Sequence, residues 1–254
     1  MVKRSSVDFT LEVLVFPLLF VFSLWLVFWI EVRTGMSFNR YGIYPGEWWG
    51  LRGVLFGPFI HSGLSHLFNN SVPLLVLTMG LFYFYRSIRW RVLLLGILLT
   101  GLLTWLIGRP ANHIGASGVI YMLTAFLFFK GLLSRQYQLV ALAMAVVFLY
   151  GSLLWYIFPI DPKISWEGHL SGFAVGLLFA LLFRAEKLPK RTYSWEAPDY
   201  DPQTDEFMQQ FDEDGNFIGD QGLEQETTDN ETTDKERKFT IRYEFKRRKG
   251  PPSP

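Results

Sequence analysis

The sequence predicts an all-α, polytopic membrane protein: a bundle of six transmembrane helices followed by a disordered C-terminal tail. Two features of the 254-residue chain carry this expectation. Apolar runs recur at about residues 11–30, 66–85, 92–107, 117–133, 139–158 and 169–183, and the first, of about twenty residues, is long enough to cross ~30 Å of hydrocarbon as a helix rising 1.5 Å per residue. Hydropathy is also split. Residues 11–184 are strongly apolar and those after 185 are polar, so the mean hydropathy of +0.21 averages two unlike parts. The expected divisions are a cytoplasmic N-terminus (1–10), a six-helix core (11–184) and a cytoplasmic acidic tail (185–254) ending in a strand-like basic segment.

In chain order, residues 11–30 carry one charge, Glu12. The run is too long for the apolar core of a signal peptide and no small-residue cleavage site follows it, so it reads as a retained transmembrane helix. Residues 31–60 form a long loop rich in glycine and aromatics, among them Tyr41, Tyr44, Trp48 and Trp49, residue types that favour the headgroup level. Lys and Arg are more numerous in the segments on the N-terminal side of the bundle, including Arg86, Arg89, Arg91, Lys130 and Arg184, which puts both termini in the cytoplasm. From 196 to 234 there are fourteen acidic residues and no basic ones, a composition expected to stay disordered. Residues 212–215 carry part of a calcium-loop pattern without its full ligand spacing. Residues 239–245 alternate apolar and polar, as a strand does. No cysteine is present, so neither disulfides nor thiolate metal sites are possible, and a net charge of +1 points to no nucleic acid partner.

Ionisable and amide groups at membrane depth are expensive and mark function. His61, His66 and Asn70 flank the start of the second run, Ser117 opens the fourth and His169 opens the sixth. Runs two, four and six share a direction, so all three polar starts meet at one level. His66 and Asn70 are four apart, on one helical face; they suit donors aimed at one point, or residues that cap their own helix. Gly115-Ala-Ser117-Gly118 suits an exposed nucleophile at a loop–helix junction, or a patch of small residues for helix packing. Gly172 and Gly176 form a small-xxx-small pair that lets a neighbouring helix come close.

Together, His61-xxxx-His66-xxx-Asn70, Gly115-Ala-Ser117-Gly118-xx-Tyr121 and Gly168-His169-xx-Gly172-xxx-Gly176 resemble the rhomboid family of intramembrane serine proteases. The resemblance runs from the second apolar run to the sixth, and in topology from the first. It implies a six-helix rhomboid-like bundle, a Ser–His dyad without a third acid, and cleavage of other membrane proteins in or near their transmembrane segments. By position, Ser117 is the implied nucleophile and His169 the general base. His66, Asn70 and the Ser117 backbone N–H are the implied oxyanion hole. Tyr121 stacks on His169, and Gly115 lines the substrate cleft, with His61 and Gly118 beside them. Many relatives carry Trp-Arg in the first long loop; here Trp48-Trp49 is followed by Gly50-Leu51, and Arg52 is displaced.

A serine hydroxyl needs an adjacent base to attack a carbonyl, and the resulting oxyanion needs aimed donors. This chemistry takes transmembrane protein substrates from the lipid bilayer and uses no cofactor and no metal. Asp161 and Glu167 precede the sixth run and are expected to be solvated, leaving the packing of Tyr121 to hold the base. His113, four residues before Ser117, is the rival base by sequence distance. The alternatives are a pseudoprotease that binds transmembrane clients without cutting them, and a transporter or metal site using His61, His66, His113 and His169; the spacing matches no zincin helix and there is no HExxH. The expected location is a bacterial plasma membrane.

Overall fold

The computed structural model describes residues 9–150, 155–184, 193–212 and 214–218. The chain divides into two units, 1–191 and 192–254. Among the described residues of the first unit, six apolar helices dominate: α1 (Glu12–Thr34), α2 (Leu64–Phe84), α3 (Arg89–Ile107), α4 (Ser117–Leu133), α5 (Tyr137–Tyr150) and α6 (Trp166–Leu182). Three of them, α1, α2 and α3, are long and apolar enough to cross a membrane, at 23, 21 and 19 residues. The other three are apolar but shorter. Of the fifth run, expected at 139–158, the described residues form α-helix to Tyr150 and a short 3-10 turn at Trp155–Ile157.

The helices are apolar on the outside as well as the inside. Leu18, Leu19, Phe22, Leu26 and Trp29 of α1 and Leu94, Leu95, Leu102 and Leu106 of α3 are exposed. In water such faces would drive association; in a bilayer they are the solvated faces. The inner faces of α2, α4 and α6 meet in a core built on Leu74, Leu77, Leu81, Leu123, Phe126 and Phe179.

α4 and α6 lie closest. A Cβ on Gly172 would stand 2.0 Å from the Gly118 carbonyl oxygen, and one on Gly176 2.2 Å from that of Met122. Only glycine allows this approach of two backbones, and dispersion between them replaces the hydrophobic drive that lipid removes. At the other end of the pair, Lys130 does not reach solvent. It is buried, and its Nζ donates to the carbonyls of Ala180 (3.0 Å) and Phe183, closing the C-terminal end of α6.

The segment between α1 and α2 is compact. Ile43 and His113 exchange both backbone hydrogen bonds (2.8 and 2.9 Å), and the Trp105 indole donates to the Glu47 carbonyl at 2.9 Å. Arg52 braces it from within: its guanidinium lies over Tyr41 (4.7 Å) and Trp49 (5.4 Å) and donates to the Arg40 carbonyl.

In the second unit, the described part of the acidic stretch forms local turns where disorder was expected throughout. Asp212 Oδ1 accepts from the backbone N–H of Asp214 and Asn216, and Phe211 bridges to Phe217. Asx turns of this kind need only nearby donors, not a core. The strand-like segment 239–245 lies outside the described residues.

Candidate active site

Ser117 is the first residue of α4, and the N–H groups of a first helical turn have no intrahelical acceptor. The loop before it reaches this position through Gly115, whose φ of +103° is open to glycine and strained for other residues. A Cβ there would also stand 2.8 Å from both Cε1 and Nε2 of His66. The Gly115 N–H donates to the Gly57 carbonyl, and the Ala116 N–H donates to His61 Nε2 at 3.4 Å. The short turn before Ser117 is thus held from below by the segment that leads into α2.

His169 sits in the first turn of α6, capped by Ser165, whose hydroxyl accepts from the Gly168 N–H. Its Nε2 is 2.9 Å from Ser117 Oγ, and its Nδ1 is 2.9 Å from the Tyr156 carbonyl. A carbonyl only accepts, so Nδ1 carries the hydrogen, and the neutral ring turns its Nε2 lone pair to the serine hydroxyl. Tyr121, one turn along α4 from Ser117, stacks on the imidazole with centroids 4.2 Å apart and planes inclined by 15°. The ring is therefore oriented by one carbonyl and one aromatic face, with no carboxylate on Nδ1 among the described residues.

On the α2 side, His66 Nε2 and Asn70 Nδ2 come within 2.8 and 3.4 Å of the point where Gly115 would carry a Cβ. Ser62 Oγ lies 3.1 Å from His66 Nδ1; when it donates, Nε2 carries the hydrogen. Asn70 Nδ2 is buried and has no acceptor among the described residues. An unpaired buried amide costs about 1–3 kcal/mol, and here it faces Gly115, two residues before the serine.

His61 is buried and stacked edge-on against His66 at 5.0 Å. Its Nδ1–H donates to the Phe59 carbonyl, which leaves Nε2 to accept from Ala116. Burial pushes this imidazole down to about 4; His66 lowers it further and the Phe59 carbonyl opposes the shift. Gly118 packs against the Gly168 carbonyl, 3.2 Å from where its Cβ would be.

His113 stands apart from the serine's partners. Its Nε2–H donates to the Arg109 carbonyl at 3.0 Å, and its Nδ1 accepts from Ser165 Oγ at 2.5 Å. Both ring nitrogens are engaged in holding loops together. The four histidines thus do not converge on one point.

Glu167 departs from the expectation of a solvated carboxylate. It is 1% exposed, pairs with Arg109 at 3.5 Å and accepts the Arg109 backbone N–H. Arg109 also donates to the carbonyls of Pro162 and Ile164. The α3–α4 loop is clamped in this way to the start of α6. These partners are 58 residues apart in sequence, and nothing local announces them. The Tyr156 carbonyl was equally invisible, since any residue supplies one. Ser165 was readable: a serine just before an apolar helix is a cap signal.

Residues 45–186, more than half of the chain, match the family model of the Rhomboid domain. Uncharacterized proteins of Mycobacterium tuberculosis and Mycobacterium bovis are each 38% identical over 185 residues, covering 68% of this chain and 76% of theirs. An uncharacterized protein of Mycobacterium leprae is 35% identical over 190 residues, covering 68% and 72%. With three apolar helices long enough to span a bilayer and this domain laid over them, the chain is an integral membrane protein that belongs to the rhomboid family.

Proposed function

We propose that the protein is an intramembrane serine endopeptidase that cleaves membrane proteins in or near their transmembrane segments by a Ser117–His169 dyad. The observation that carries this reading is the 2.9 Å contact between Ser117 Oγ and His169 Nε2, with the other ring nitrogen committed to the Tyr156 carbonyl. A neutral Nε2 takes the hydroxyl proton as Oγ attacks the substrate carbonyl, and the imidazolium returns it to the leaving amine. The acyl-enzyme is then hydrolysed by water, activated by the same base. The tetrahedral oxyanion accepts hydrogen bonds from His66 Nε2–H, Asn70 Nδ2–H and the Ser117 backbone N–H; the orphaned Asn70 amide supports that role. In the same reading α4, α5 and α6 complete six crossings, both termini are cytoplasmic and the membrane is a bacterial plasma membrane, in keeping with the mycobacterial relatives.

The test is cleavage of single-pass substrates in liposomes together with labelling by a fluorophosphonate. Wild-type protein is expected to cut and to label. Ser117→Ala and His169→Ala are expected to fold and do neither, each losing nearly the full effect because the pair acts as a unit. His113→Ala is expected to keep at least about a tenth of the activity, the loss left by a loosened loop. Labelling that survives Ser117→Ala would end the assignment; a wild type that binds clients without cutting or labelling is a pseudoprotease.

A further inference from the structure

His61, whose Nε2 holds Ala116, also forms one wall of a recess of about 300 Å3. The end of α1 supplies Phe28 and Glu31, the turn after it Met36 and Asn39, and the approach to α2 supplies Ser62. That volume is at the lower end of ligand-sized pockets. Glu31 is the one carboxylate in the lining, and no Lys or Arg lines it.

The carboxylate is half used. Glu31 Oε1 accepts the Phe38 backbone N–H at 2.6 Å, which ties the turn to α1. Oε2 is buried and accepts no hydrogen bond among the described residues. A desolvated carboxylate oxygen without a donor is costly, and a charged donor repays most. The rest of the lining suits the same visitor. Phe28 brings an aromatic ring, a group that attracts cations, Met36 an apolar side chain suited to an alkyl stem, and Asn39 and Ser62 side-chain oxygens able to accept from further N–H groups.

We infer that this recess is a substrate subsite for a Lys or Arg side chain close to the scissile bond. The inference rests on the protease reading and deepens it: His61 lines the recess, and its Nε2 accepts from the N–H of Ala116, the residue before the proposed nucleophile. The preferred substrates are then membrane proteins with a basic residue at a fixed step from the cut.

The experiment uses full-length protein in detergent and a panel of one transmembrane peptide carrying Lys, Arg, Gln or Glu at each position within about four residues of the cleavage site. At one position, Lys or Arg is expected to raise kcat/KM about tenfold over Gln. Glu31→Gln keeps the Oε1 acceptor for Phe38 but removes the charge, and it is expected to bring that ratio within about twofold; Glu31→Arg is expected to favour Glu instead. A second arm measures the Kd of the same peptides for Ser117→Ala by fluorescence anisotropy, with Glu31 or Gln at position 31. A basic preference in Kd that disappears with Glu31→Gln, in a protein whose wild type cuts nothing, keeps the recess and ends the protease reading. A wild type that cuts, with no basic preference at any position or with the same preference after Glu31→Gln, ends the recess alone. If Glu31→Gln does not fold, the wild-type panel still decides: equal rates and equal Kd for Lys, Arg and Gln overturn the subsite.

Discussion

Asn70 buries an amide nitrogen that has no acceptor among the described residues, beside the serine's loop, an arrangement that costs stability and that the oxyanion of the proposed reaction would offset. Asn70→Ala is therefore expected to lower kcat by about a hundred- to a thousand-fold while KM moves little. Steady-state kinetics on one substrate decides: a raised KM at unchanged kcat makes Asn70 a binding residue. His61 gives a second residue-level expectation. Its imidazole titrates near 4 in the folded protein because burial disfavours the cation, against an ordinary 6.5. Between those values the unfolded chain takes up a proton that the folded ring refuses. The stability tied to the neutral ring is full above 6.5 and is lost as pH falls through that window to about 4. Tm in detergent should fall across it, and the fall should be shallower in His61→Gln. Equal slopes in both proteins would assign the acid loss to other groups.

At the scale of elements, the Ser117–His169 contact exists because two helices touch along their backbones. Ser117 opens α4 and His169 opens α6, and the Gly172 and Gly176 contacts with α4 fix the distance between them. Gly172→Val inserts a side chain where even a Cβ would stand 2.0 Å from the Gly118 oxygen, so the helices must part. Overpacking of this kind costs about 1–3 kcal/mol. Expected results are a lower Tm and loss of fluorophosphonate labelling at Ser117, while Leu178→Val, on the exposed side of the same helix, changes neither. Wild-type labelling of Gly172→Val would mean that the Ser117–His169 contact does not depend on this approach. The clamp from Arg109 to Glu167 and to the carbonyls of Pro162 and Ile164 serves the same pair at the loop level, holding both helix starts in one place.

For the whole molecule, the two units differ in kind. The first has an apolar core and apolar outer faces; the described part of the second is held by local turns, with Phe207, Phe217 and Ile218 exposed. No residue of the proposed chemistry lies beyond position 184. Truncation near Lys190 is therefore expected to leave cleavage of a small substrate within about twofold of the full chain. An inactive yet monodisperse truncated protein would make the tail part of the working enzyme.

Hydropathy and helical spacing are local properties, so the sequence by itself determined that the chain is an apolar helical membrane protein, and the order and spacing of its polar helix starts identified the family. The close-packing pair Gly172–Gly176 was legible for the same reason, and Ser165 carries a cap signal that went unread. Tertiary structure alone decided what each polar group touches. It tied His113, the histidine nearer to Ser117 in sequence, to Arg109 and Ser165. It supplied the Tyr156 carbonyl that orients the His169 ring, and it buried Glu167, which reads as a loop carboxylate, against Arg109. Such contacts join residues far apart in the chain, through backbone atoms every residue carries and through burial that follows from the neighbours. No period or spacing along the chain encodes them.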